Sequence, residues 1–190
     1  MKLENAFEVP APRERAWELL MDVPRVVPCM PGATLRETVS DDRWKADLAV
    51  KLGPIALNFD TDVTRESVDE TAGSVTLGAK AREKRGRGGA QAAIQSTLTE
   101  LGPGSTRIAV VTELTLSGAV AQYGRGIVQD VSQQMVSKFA ACLKAQLVAE
   151  TPEEAAAAVA EHQAQPVQGL SMGLGAVWRS FLRLFGIGRR

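Results

Sequence analysis

The 190-residue sequence predicts an α+β fold. A curved antiparallel β-sheet wraps around a long C-terminal helix, two short helices lie beside it, and a tail helix follows. Three observations predict this. Residues 34–117 alternate apolar and polar side chains, and short Gly/Pro/Asp signals break them into strands. Short links between alternating strands make an antiparallel meander. Residues 119–149 then switch to helical period, and a helix after a meander must bury its stripe on one face of the sheet.

Each element follows in order. Residues 2–9 alternate, with Leu3, Phe7 and Val9 on one side and Lys2, Glu4 and Glu8 on the other, which is a half-buried strand. Pro10 and Pro12 end it, and Pro12 suits a helix start. Residues 13–21 make that helix, with Trp17, Leu20 and Met21 at helical spacing. DVPRVVPCMPGA (22–33) has three prolines in a short apolar stretch, so short turns packed on the core are expected. Strands are predicted over 43–52, 55–68, 74–85, 88–101 and 105–117, about six in all within the β region. Val120, Tyr123, Ile127, Val131, Met135, Phe139, Cys142 and Leu147 form the stripe of the long helix. Gly124 and Gly126 weaken its first turns by about 1 kcal/mol each, or the helix starts later.

This order is the helix-grip arrangement. Ala46, Ala79, Ala81, Ala90 and Ala92 fall on inward strand positions, and small residues opposite a long helix leave room for a cavity. Its expected walls are Trp44, Leu48, Phe59 and Ala92 from the strands and Tyr123, Ile127, Val131 and Met135 from the helix. The plainer reading makes the large ones core residues. Tyr123, the chain's one tyrosine, offers a hydroxyl to orient a carbonyl.

The expected organisation is a binding domain over 1–150, a linker over 151–168 and a tail over 169–190. TPEEAAAAVAEHQAQPVQ is Ala/Glu/Gln-rich, bracketed by Pro152 and Pro166, with some helical tendency. On a helical wheel Leu174, Val177, Trp178, Phe181 and Phe185 cluster on one side of the tail, and Arg179 and Arg183 lie opposite. That segregation suits a helix lying in a membrane interface with arginines toward anionic headgroups. It also suits a helix docked on its own core or on a partner protein, and the linker ahead of it favours the membrane.

The chain has no net charge, yet the tail holds four arginines and no acid. The remaining 18 basic groups face 22 acids, so residues 1–168 carry about −4. A negative body argues against nucleic-acid binding. No secretory leader opens the sequence and no stretch is apolar enough to span a bilayer, so Cys29 and Cys142 are expected to be reduced, and Cys29 to be a buried small residue.

Catalytic constellations are scarce. The one histidine, His162, falls in the linker, which removes Ser–His and Cys–His pairs and His-based metal sites from the domain. EKRGRGGAQ (83–91) lacks the order of a phosphate loop and reads as a hairpin turn, whose Lys84, Arg85 and Arg87 are free to touch a membrane or partner. Asp47, Asp60 and Asp62 alternate away from the inward face, and no inward acid stands out. No catalytic residue, metal site or enzymatic activity is expected.

DVPRVVPCMPGA, RGRGGAQAAI and QYGRGIVQDVSQQMVSKFAACL together resemble the carbon monoxide dehydrogenase CoxG family, within the START/Bet v 1-like (SRPBCC, polyketide cyclase-like) superfamily. The resemblance covers about 1–147. It implies a helix-grip fold around a deep apolar cavity, with no covalent cofactor. It also implies a lipophilic quinone (menaquinone or ubiquinone) as the bound group. The implied partner is a molybdenum hydroxylase of the carbon monoxide dehydrogenase type. Together with the tail, it places the protein peripherally on the cytoplasmic face of the cell membrane, in contact with anionic lipids. The alternatives are a recruitment adaptor or an assembly factor for that enzyme, or a cyclase on the same fold.

Overall fold

The structure is a computed structural model that describes residues 1–52 and 55–163. The elements run β1 (Lys2–Val9), α1 (Arg13–Met21), α2 (Val23–Val26), a 3-10 turn (Val27–Cys29), β2 (Ala33–Ser40), β3 (Arg43–Leu52), β4 (Ile55–Asp69), β5 (Ser74–Glu83), β6 (Gly88–Gly102) and β7 (Ser105–Gly118). A second 3-10 turn (Ala119–Gln122), α3 (Arg125–Val148) and α4 (Pro152–Gln163) follow. The expected strands form, and the long helix starts at Arg125 with Gly124 as its N-cap.

All seven strands join one antiparallel sheet in the order β1-β7-β6-β5-β4-β3-β2. β1 and β2 therefore sit at opposite edges, and α1, α2 and the first 3-10 turn carry the chain between them. Gly32 enters β2 with φ of 77°, and a Cβ there would run into the Ala49 carbonyl, so the approach to β3 needs glycine.

The main core lies where the short helices, the C-terminal half of α3 and the sheet meet. Val9, Ala16, Leu19, Val26, Ile108 and Leu143 are buried there, with Phe7, Trp17 and Phe139 packed at the border. Phe7 and Phe139 meet edge to face, with ring centroids 6.3 Å apart. Arg65 closes this end. It lies 5.1 Å from the Trp44 ring centre, donates to the Met21 carbonyl at 2.9 Å and pairs with Asp42 at 3.2 Å. The Met21 carbonyl ends α1, where a cation complements the helix dipole.

Two expectations are corrected. Cys29 and Cys142 are not separate thiols but a disulfide that joins the first 3-10 turn to α3 across 113 residues of sequence. Packing the Pro-rich turns on α3 brings their Cα atoms to 5.4 Å, inside the range a disulfide spans. Gln146 donates to both the Cys29 sulfur (3.0 Å) and the Arg25 carbonyl (3.2 Å), tying the same turn again.

The second correction concerns the linker. Residues 152–163 of it form α4, which packs on α3 and the first 3-10 turn, with Val159 against the core. Thr151 and Glu154 make a reciprocal capping box: Thr151 Oγ1 accepts from the Glu154 N–H (3.2 Å), and the Glu154 carboxylate accepts from the Thr151 N–H (3.3 Å). TPEE announces that cap, with proline at the first helical position. Residues 164–190, including the tail and its Leu174, Val177, Trp178, Arg179, Phe181, Arg183 and Phe185, lie outside the described residues.

Cys142→Ala should cost about 3–5 kcal/mol, because the bond closes a long loop in the unfolded chain. Urea unfolding of wild type and variant, with and without dithiothreitol, checks this. Reductant should shift the wild type toward the variant and leave the variant unchanged.

Candidate ligand cavity

The concave face divides into two apolar zones. Toward the short helices it is filled by the main core. Toward the start of α3 a second cluster, Leu57, Phe59 and Val120 with Leu48, Val50 and Tyr123 against it, borders an open space. That space is a cavity of about 260 Å³. Its floor is the concave face of β3 to β7 with Leu3 of β1, its roof is the N-terminal half of α3, and Met30 closes one side.

Cross-strand register explains the room. One inward row reads Ala46, Thr61, Ala81, Ala90, Leu116, and Ala81 and Ala90 line the cavity. Alanines in mid-sheet hold the floor low where a valine or leucine would reach α3. The polar side chains in the wall are Thr112, Ser132 and Tyr123. Ser132 already accepts from the Asn5 amide at 3.3 Å. Such a space takes an apolar body and leaves few hydrogen bonds for a polar end.

Of the expected wall, Leu48, Phe59, Tyr123, Val131 and Met135 line this cavity. Trp44 does not; it is 3% exposed and lies under Arg65. Ala92 sits on the inward face between two lining residues, Ala90 and Ile94, but does not reach the space itself. Ile127 is 47% exposed. Steps of four drift about 40° each, so a stripe that ends on Phe139 places Ile127 roughly 120° away from it. Val128, Ser132 and Val136 take its place. Leu57, Ile94 and Leu116 were legible from strand alternation and were missed for want of knowing where the floor opens.

One inward acid exists against expectation. Glu83 ends β5 opposite Phe59, is 5% exposed, and its Oε2 accepts from the backbone N–H groups of Arg85 (2.8 Å) and Arg87 (3.2 Å). Burial pushes this carboxyl up, but those hydrogen bonds and the Arg87 guanidinium outweigh it and hold it below the usual range. Alternation from Ala79 and Ala81 carries Glu83 to the inward face, so the signal was present in the sequence; what only the fold shows is that the side chain folds onto its own turn. The turn is the hairpin expected for 84–87 and not a phosphate loop.

Asp47 and Asp60 lie on the convex face, as alternation requires, and form a network with Arg36 and Lys84. Lys84 reaches Asp47 at 2.9 Å and Asp60 at 3.6 Å; Arg36 reaches them at 3.5 and 3.1 Å. The Lys84 hydrogen bond holds the Asp47 carboxyl low, and Asp47 in turn raises Lys84. Among the described residues no group of His, Cys, Asp or Glu side chains is placed to hold a metal ion.

A curved antiparallel sheet gripping one long helix, with an apolar cavity between them, defines a START/Bet v 1-like helix-grip fold. Solved structures agree on the fold. A conserved protein from Geobacillus kaustophilus superposes with a TM-score of 0.69 at 20% identity, covering 77% of this chain and 95% of its own. A START superfamily protein from Mycobacterium smegmatis gives 0.53 at 14% identity, with coverage of 77% and 96%. The Zhui aromatase/cyclase from Streptomyces sp. R1128 gives 0.53 at 14%, with 85% and 93%. No curated protein matches the sequence. The family model for CoxG of carbon monoxide dehydrogenase matches residues 6–148, and the chain belongs to that family.

Two outcomes test the site. Ala90→Phe should fill the cavity, leave the urea midpoint nearly unchanged and abolish fluorescence enhancement of an apolar dye. If the space were already filled, the substitution would instead destabilise by about 1–3 kcal/mol. Glu83→Gln should flatten the acid limb of stability. The folded carboxyl titrates below its unfolded value, so its stabilisation is complete above the ordinary glutamate value of 4.5 and is lost as pH falls through the lower folded value. Thermal melts of both proteins across the acid range measure it.

Proposed function

We propose that this protein is a non-catalytic carrier that holds a lipophilic quinone, menaquinone or ubiquinone, in its apolar cavity. It couples a molybdenum hydroxylase of the carbon monoxide dehydrogenase type to the respiratory membrane from the cytoplasmic face. The observation that carries the reading is the cavity: about 260 Å³ of almost wholly apolar wall in a fold built to bind ligands. Family and fold together suggest a ligand-binding role tied to carbon monoxide dehydrogenase.

The cavity's size constrains the pose. It falls just under the usual 300–1,000 Å³ of small-molecule sites. A ring and the first part of a prenyl chain suit that space, and a full polyprenyl chain exceeds it. Each 100 Å² of chain buried contributes about 2.5 kcal/mol before ordering costs. Tyr123, in the cavity wall, would donate its hydroxyl to a ring carbonyl. The Arg-rich tail, with Trp178, Phe181 and Phe185 on one side, supplies attachment to anionic lipid.

The competing reading is an adaptor or assembly factor that recruits the hydroxylase without carrying anything. Docking of α4 favours it in one respect, since it removes 152–163 from the arm on which a shuttle would swing. One experiment separates the two. Hydroxylase activity with a soluble artificial acceptor should survive both Ala90→Phe and truncation after Gln168. Quinone-coupled activity in membranes should fall about tenfold or more in each, a loss of roughly 1.4 kcal/mol. Intact coupling in Ala90→Phe, with coupling lost on truncation, makes the protein an adaptor only. Lipid extraction and mass spectrometry of wild type should recover a quinone that Ala90→Phe lacks.

A further inference from the structure

Sheet topology sorts the chain reversals into two poles. The approach to β2 (30–32), the end of β3 and start of β4, the β5–β6 turn (84–87) and the β7–α3 connection (119–124) lie at one end of the sheet. The β2–β3, β4–β5 and β6–β7 turns and the β1–α1 link lie at the other. The first end is the cavity end, since Met30, Val50, Val120 and Tyr123 in its wall adjoin those reversals.

Charge is sorted the same way. At the cavity end stand Lys51, Lys84, Arg85, Arg87 and Arg125, and the reversals themselves contain no acid. At the far end stand Asp41, Asp42, Asp69, Glu70 and Glu100 against Arg13, Arg43 and Arg65, the last paired with Asp42. Arg13 there is taken up by the Glu70 and Thr71 carbonyls. Lys84 and Arg87 are spoken for by Asp47, Asp60 and Glu83. Lys51, Arg85 and Arg125 are exposed and form no ion pair among the described residues. Ile127, in the first turn of α3, is exposed at the same end of the molecule.

We infer that the cavity end docks on an anionic bilayer through Lys51, Arg85 and Arg125, with Ile127 meeting the interface and the cavity opening toward the lipid. The occupant is a lipid surface because the same pole carries cations without an ion pair, an exposed aliphatic side chain and the walls of an apolar cavity. A dipolar body turns its basic pole to a negative surface, and the opposite pole is repelled. The far end also exposes Leu101 and Val68, but among acids, which sets it away from the same surface. Docking this way also accounts for a cavity shorter than a polyprenyl chain: the remainder of the chain stays in the bilayer. That last step rests on the carrier reading; the docking itself does not.

Hydrogen exchange of the full chain tests the orientation. With vesicles of equal parts phosphatidylglycerol and phosphatidylcholine, amides of 49–52, 84–88 and 119–128 should gain protection, and those of 40–43, 69–74 and 100–105 should not. Pure phosphatidylcholine should produce neither. Changing Lys51, Arg85 and Arg125 together to Glu should abolish protection of the cavity end while the tail still holds the protein on vesicles. The control set Arg15→Glu, Lys80→Glu and Lys144→Glu changes net charge equally at exposed sites off this pole and should keep it. Quinone uptake from the anionic vesicles should drop at least fivefold per cation removed in the first set. Uptake from neutral detergent micelles should be unchanged. Protection confined to the tail region, protection of the acidic pole, or equal loss in both triple variants overturns the inference. Protection given only by an acidic protein partner overturns it too. Failure of wild type to take quinone from micelles would instead sink the carrier reading and leave the exchange result standing.

Discussion

Everything in this molecule depends on one straight helix crossing one curved sheet. α3 has 24 residues and is therefore about 36 Å long. A sheet with right-handed twist curls away from a straight rod, so contact close at one end must open at the other. At its C-terminal half α3 buries Ala140, Cys142, Leu143 and Leu147. At its N-terminal half the floor is lowered by Ala81 and Ala90, and the space between is the cavity. The same element is thus a core helix for half its length and a cavity roof for the other half.

A cavity of this kind is an unfavourable thing to leave in a core, because its walls forgo dispersion contacts. The closed end supplies the compensation. There the disulfide, Gln146 and Arg65 each tie a short helix or turn to α3 or the sheet. Arg65 joins three elements at once: the Trp44 ring on β3, the end of α1 and the β2–β3 turn. Thr106 adds a fully buried hydrogen bond to the Ala11 carbonyl at 2.8 Å, which fixes the chain as it leaves β1. α4 lies over this end as well. The cavity end has lighter bracing, chiefly the Glu83 carboxylate that caps its own turn.

Function in such a fold is written in the wall more than in any reactive group. An apolar wall selects by size and shape and gains little from charge, so it suits a ligand whose identity lies in its hydrocarbon body. The charged side chains sit off that wall: Asp47, Asp60, Arg36 and Lys84 form a network on the convex face, where it stiffens β2, β3 and β4.

Much of this was legible in the sequence. Alternation with period two and the change to period 3.6 at residue 119 determine the strands, the long helix and their order, because side-chain direction is local to an element. Leu48, Phe59 and Met135 could be placed on the wall for that reason. Tertiary structure decided the rest. Whether Trp44 lines the cavity or lies beneath Arg65 depends on how far along the sheet the floor drops. Whether Ile127 faces in depends on the azimuth at which α3 settles, which a run of four-residue steps does not record. The Cys29–Cys142 bond joins residues 113 apart, and no local pattern carries a distance of that kind. Glu83 shares the inward parity of Ala79 and Ala81, but only the folded turn shows that backbone N–H groups receive its carboxylate. The sequence by itself determined which faces are apolar; only packing determined where two such faces touch and where they leave a gap.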